Sequence, residues 1–194
     1  RMEAACARFG NPERSFSAVH VAGTNGKGTV SAFVASIARA SGKRVGLYTS
    51  PHLVRFAERI QIDGALIDDE TLARVLERVM DEAPELTFFE VTTLAAFVAF
   101  QQAQVEIAVI EVGLGGRLDA TNVIPPPRVA VITRVAFDHI EELGDSLAKI
   151  ATEKAGIIKK GSTVVVGKLH PDARDVVERR VAQVGAHLVA LSNP

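Results

Sequence analysis

Ala18-Val19-His20-Val21-Ala22, then Gly23-Thr24-Asn25-Gly26-Lys27-Gly28-Thr29, then Val30 to Ala40 run consecutively, and this stretch decides the fold. The apolar run predicts a buried strand, and Val30 to Ala40 predicts a helix. A glycine-rich turn between them, with one lysine at the helix start, is suited to a polyphosphate. Its backbone N–H groups converge on one concavity, and the helix N-terminus adds partial positive charge. The lysine reaches the outer phosphates, and a neighbouring hydroxyl can ligate Mg²⁺. The expectation is therefore binding of ATP or GTP by residues 23–29. The plainer reading is a tight turn with a solvated lysine. The P-loop pattern is also displaced: Val21 stands where its first glycine belongs, and Gly28 where its hydroxyl belongs, with Thr29 one place later.

Working outward, strand and helix signals alternate. Val30, Phe33, Val34, Ile37 and Ala38 mark the first helix face, and Gly42 its stop. Strands are predicted at 44–49, 105–112, 128–133, 163–166 and 187–191. Residues 59–62 and 65–67 form a hairpin about Asp63-Gly64. Asp68 or Asp69 caps a helix carrying Leu72, Val75, Leu76 and Val79. Further helices are predicted over 91–104, 146–155 and 172–184. Such alternation argues an α/β fold, a doubly wound, mostly parallel sheet. Pro125-Pro126-Pro127 reads as a short rigid connector.

Length predicts one domain over residues 1–194, or one domain plus part of another. A hydrophobic share of 47% supplies a sizeable core, and a formal net charge of -1 gives no electrostatic footprint for nucleic acid or anionic membrane. One cysteine, Cys6, excludes an internal disulfide framework and fits a reducing, cytoplasmic setting. No stretch approaches the roughly 20 apolar residues of a membrane span.

Ligands of open parallel sheets bind beyond the C-terminal strand ends. Ser50, Glu111 and Asp138-His139 occupy such ends and are expected on the rim of the Gly26-Lys27 turn. An oxygen-rich set with one imidazole suits Mg²⁺ or Mn²⁺. Singly, each has a bland reading: Glu111 as a salt-bridge partner, His139 and Ser50 as loop residues, and Lys154, beside Glu153, as a solvated helix charge.

Taken in order, Val21 to Thr29, Tyr48-Thr49-Ser50-Pro51-His52, Glu111 to Asn122, Asp138-His139 and Glu153-Lys154-Ala155-Gly156-Ile157-Ile158 closely resemble folylpolyglutamate synthase and bifunctional dihydrofolate synthase of the Mur ligase superfamily. The resemblance accounts for the displaced hydroxyl, since that family's loop reads Gly-Lys-Gly-Ser/Thr. It implies a P-loop NTPase-like central domain and an ATP-dependent ligase joining L-glutamate to a folate or dihydropteroate carboxylate through an acyl phosphate. It implies Lys27 on the β/γ-phosphates and Ser50, Glu111 and His139 on Mg²⁺. Lys154 matches a lysine that CO₂ can carbamylate, to help hold a second Mg²⁺. His52, Phe89, Arg117, Asp119 and Ala120 fall to the substrate side, under a mobile loop at 50–59. Asp119-Ala120 leans towards the bifunctional type.

Family members run to about twice this length. The resemblance therefore implies a fold incomplete at its C-terminus, with a Rossmann-like C-terminal domain absent from this chain. It also implies a monomeric full-length enzyme, while the exposed last strand favours self-association of the 194-residue chain. Three alternatives remain: a nucleotide-binding fragment without ligase activity, a Mur-type ligase acting on a cell-wall precursor, and a P-loop GTPase. The last would carry an Asn-Lys-x-Asp segment, which is absent here.

Overall fold

The computed structural model describes residues 1–189. Eight strands form one sheet: β1 (Ser17–Ala22), β2 (Val45–Tyr48), β3 (Ile60–Ile62), β4 (Ala65–Leu66), β5 (Ile107–Glu111), β6 (Val129–Ile132), β7 (Thr163–Val166) and β8 (His187–Val189). Their order is β4-β3-β2-β5-β1-β6-β7-β8. All pairs are parallel except β2–β3 and β3–β4. The Asp63-Gly64 turn has φ of 53° and 80°, the two left-handed positions of a tight hairpin. The predicted strand at 187–191 is present to Val189; its last two residues lie outside the described residues.

Helices α1 (Met2–Arg8), α2 (Lys27–Ala40), α3 (Asp69–Glu82), α4 (Phe88–Gln102), α5 (Ile140–Leu143), α6 (Leu147–Ala155) and α7 (Pro171–Val184) cover both faces. Asp68 caps α3 and Ser146 caps α6, each accepting from a first-turn N–H, and Gly185 ends α7 at φ 67°. One sheet face, with Ala18, Ala108 and Ile110, packs under Phe97 and Phe100 of α4; Ala130, Ile132 and Val164 continue it under α6 and α7. Burying each phenylalanine stabilises the fold by about 1.5–3 kcal/mol. Cys6 joins α1 to α3 and α4 as a buried apolar residue, its thiol pushed up to about 12 by desolvation and Glu13.

Two helix expectations are corrected. α2 sets Val30, Val34, Ala35 and Ala38 on Val21, Leu47, Val109 and Val131, whereas Phe33 and Ile37 are 66% and 70% exposed. The smaller residues form the stripe that lies on the sheet, and Phe33 and Ile37 flank it. α4 starts before Val91, because Thr87 and Glu90 make a reciprocal capping box. α1 had no predicted counterpart.

Strand β1 lies between β5 and β6, so the chain reaches its neighbours by crossing over it in opposite directions. The C-terminal ends of β1, β5 and β6 open the crevice that such a switch creates.

Candidate nucleotide and substrate site

The Gly-rich turn joins β1 to α2. Gly26 takes φ 82° at the helix N-cap, and Lys27 opens α2. Lys27 Nζ donates to Gly23 O at 3.1 Å and Thr24 O at 3.5 Å, so the ammonium folds over its own turn. Asn25, Gly26 and Thr29 are exposed. Thr24 is a brace: its Oγ1 donates to Ala136 O and accepts from Ala136 N, both at 3.1 Å, while its N–H donates to Arg134 O at 2.7 Å. Thr133 Oγ1 donates to Asn25 O at 2.8 Å. The segment after β6 thus splints the turn. No role was expected of Thr133, the last residue of the strand predicted at 128–133, or of Arg134 and Ala136 just beyond it.

Glu111 ends β5 and is 4% exposed. Its Oε2 accepts from Ser50 N at 3.1 Å, and no other hydrogen bond to the carboxylate is found among the described residues. Burial raises its pKa, opposed by the Ser50 N–H and the charge of Lys27. A Cβ on Gly28 would lie 3.7 and 3.8 Å from the two carboxylate oxygens, in ordinary contact, which sets the first turn of α2 beside Glu111. Lys154, expected to be solvated by its sequence context, is 3% exposed. Desolvation, then Lys27, lower its pKa to about 8, and Asp138 opposes them. Thus Lys27, Gly28, Ser50, Glu111 and Lys154 share one rim.

His139 does not join them through any described contact. It caps α5 at φ 45°, its ring exposed and its Nε2 3.7 Å from Asp138. Among the described residues, no group of three or more His, Cys, Asp or Glu could hold a metal. The expected Mg²⁺ set is therefore only partly assembled. Its oxygen donors, Ser50 and a buried carboxylate with one oxygen unspent, fit a hard cation that phosphate oxygens also coordinate.

Of the residues expected to contact substrate, Phe89, Asp119 and Ala120 line, with Leu114, a cleft of about 350 Å³. A Cβ on Gly113 would stand 2.4 Å from Phe89 Cζ, so that glycine admits the ring. Asp119 is largely committed to the loop: Oδ2 accepts from Leu114 N at 2.9 Å, and Oδ1 accepts from Thr121 N at 3.0 Å and from Thr121 Oγ1. Burial raises its pKa against those bonds. Arg117 pairs with Glu153 at 2.9 Å. His52 Nδ1 accepts from Arg59 Nε at 2.9 Å, apart from that cleft, and its loop exposes Leu53 and Val54.

The Mur ligase middle domain profile matches residues 21–183. The chain belongs to the Mur ligase family. It is 47% identical over 187 residues to the folylpolyglutamate synthase of Lacticaseibacillus casei, covering 92% of this chain and 44% of that protein. It superposes on Mycobacterium tuberculosis folylpolyglutamate synthase complexed with ADP and AMPPCP with a TM-score of 0.92 and 38% identity, over 97% of this chain and 46% of that one. An FPGS–AMPPCP–folate complex gives a TM-score of 0.91 and 45% identity, over 97% and 48%. The chain spans about half the length of the relatives it matches. No helix among the described residues is long and apolar enough to cross a membrane.

One feature of this Mur ligase domain had no sequence signal. His20, at 0% exposure in β1, meets Thr121 Oγ1 at 2.8 Å through Nε2. That hydroxyl in turn donates to Asp119, so the strand feeding the Gly-rich turn is tied to the loop that carries Asp119. Burial, then Lys159, hold the imidazole's pKa down to about 3. A lowered histidine pKa means the unfolded chain takes up a proton that the native state refuses. Stability is therefore full above about pH 6.5 and falls as pH drops towards 3, by about 1 kcal/mol per pH unit. Urea melts from pH 7 to pH 4.5 should show that slope, and His20→Gln should flatten it. An equal slope in both proteins would reject His20 as its source.

Proposed function

We propose that this protein is an ATP-dependent amide ligase that joins L-glutamate to the carboxylate of a folate or of dihydropteroate. The observation that carries the reading is the convergence of Lys27, Glu111 with Ser50, and Lys154 on one rim, beside the cleft of Phe89, Asp119 and Ala120. The substrate carboxylate takes the γ-phosphoryl group of ATP, giving an acyl phosphate and ADP. The amine of L-glutamate then attacks the acyl carbon, phosphate leaves, and the amine proton passes to solvent or base. Lys27 holds the β/γ-phosphates and offsets charge that builds on the transferred group. Ser50 and Glu111 are the residues that would hold Mg²⁺, with His139 on the adjoining loop; the ion's charge would screen the phosphate oxygens. The relatives' bound ADP, AMPPCP and folate support the substrate classes, and Asp119-Ala120 favours acceptance of dihydropteroate as well. We place the protein in the cytoplasm as a monomer.

Incubation of a chain of the relatives' full length with ATP, L-glutamate and either acceptor tests this, with ADP, phosphate and the amide product followed by mass spectrometry. Product with neither acceptor, or with a cell-wall precursor instead, overturns it. The relatives carry as much chain again, and we assign closure over the acyl phosphate and the glutamate contacts to that portion. The 194-residue chain alone is thus expected to bind nucleotide without ligating.

Lys154 carries a further expectation. Its buried amine is substantially neutral near pH 8. It can attack CO₂, forming an N–C bond and releasing one proton, which turns a cation into a carbamate anion facing Lys27. ¹³C-bicarbonate should give a carbamate NMR signal that Lys154→Ala abolishes. No signal at pH 8 rejects the modification.

A further inference from the structure

A groove of about 470 Å³ runs between α6 and α7, away from the nucleotide rim. Arg117, Arg179 and Arg180 contribute three guanidinium groups to it, with Thr152 and Gln183 between them. Among the described residues neither Arg179 nor Arg180 has a carboxylate partner; the ion pair on α7 joins Arg174 to Glu178. Arg180 Nε is buried without a hydrogen-bond partner, and Nη1 makes only a 3.4 Å contact with Gln183. Arg117 spends Nε and Nη2 on Glu153, leaving Nη1 to donate. Gly156 holds it in place, since a Cβ there would stand 2.4 Å from Arg117 Cα.

The Arg179 and Arg180 charges, unpaired among the described residues, repel one another, and a buried N–H without an acceptor costs free energy. An anion between them relieves both. Separate guanidinium groups lining one groove call for several separate carboxylates, and Ala155 and Val176 on its wall suit methylene groups. The chain's net charge of -1 gives no broader basic field for nucleic acid. Arg117 also lines a 270 Å³ cleft with Leu118, Asp119 and Ala120, so groove and substrate side meet at this residue.

We propose that the α6–α7 groove binds the α-carboxylates of an oligo-γ-glutamate tail as it leaves the substrate cleft. This rests on the ligase reading for its choice of ligand. The probe is a fluorescent γ-linked pentaglutamate, its binding to the protein followed by anisotropy. Arg179→Gln with Arg180→Gln should weaken it about tenfold or more and reduce its salt dependence. Arg179→Lys with Arg180→Lys should fall between, and the KM for a monoglutamyl acceptor, measured in a chain of the relatives' full length, should stay unchanged. Melting curves confirm that both pairs fold. Unchanged pentaglutamate affinity in the Gln pair overturns the proposal, as does equal competition by tripolyphosphate, which marks an indiscriminate anion groove. Ligation with unaltered tail binding sinks the groove alone. Loss of tail binding in the Gln pair, with no ligation by a chain of the relatives' full length, sinks the ligase reading and leaves an oligo-carboxylate site.

Discussion

Lys27→Ala is expected to weaken Mg–AMPPCP binding in calorimetric titration and, in a chain of the relatives' full length, to lower turnover by about 10²- to 10³-fold. The ammonium sits at the first position of α2, held by two carbonyls of its own turn. Those carbonyls are neutral, and phosphate oxygens are better partners, so nucleotide binding exchanges weak bonds for charge-assisted ones. Removing Lys27 leaves the helix N-terminus and the turn N–H groups, which orient an anion but put no full charge on the outer phosphates. A second consequence separates this from a general loss of folding. Lys27 helps to depress the pKa of Lys154 and partly offsets the raised pKa of Glu111. In Lys27→Ala the Lys154 pKa should therefore move up, with less neutral amine near pH 8 and less carbamate. Unchanged nucleotide affinity in a folded variant would remove residues 23–29 from the phosphate site.

Gly23→Ala should abolish nucleotide binding and cost about 1–3 kcal/mol of stability. Gly23 takes φ 154°, and a Cβ would stand 1.9 Å from Thr133 Oγ1 and 3.2 Å from both N and O of Arg134. The threonine cannot simply turn away, because its hydroxyl holds Asn25 O. Relief requires the turn to part from the segment after β6, which breaks the splint that Thr24 makes with Arg134 and Ala136. Combining Gly23→Ala with Thr133→Ala removes the closest clash but leaves the backbone contacts with Arg134. The double variant should regain part of the stability and little of the affinity. Wild-type binding by Gly23→Ala alone would refute the close approach.

Much of this architecture was legible locally. The β1–turn–α2 unit, the Asp63-Gly64 hairpin, the cap at Asp68 or Asp69, resolved as Asp68, and the Gly185 stop each depend on residues within one turn of one another. Thr87 and Glu90 carried an equally local signal that went unread. The face of α2 was misjudged for a different reason. Periodicity marks apolar residues without saying which stripe a sheet will accept, and small side chains won over Phe33 and Ile37.

By itself, the sequence determined the alternation of strands and helices, the Gly-rich turn between β1 and α2 and the residue types at the strand ends, because these follow from backbone preferences and short-range hydrogen bonds. Only the tertiary structure decided which of those groups meet. Ser50 and Glu111 are 61 positions apart, His20 and Thr121 are 101 apart, and Thr24 and Ala136 are 112 apart. Strand order brings them together. The same packing buries Lys154 and lowers its pKa, since desolvation depends on what a helix is laid against and not on the residues beside it in the chain.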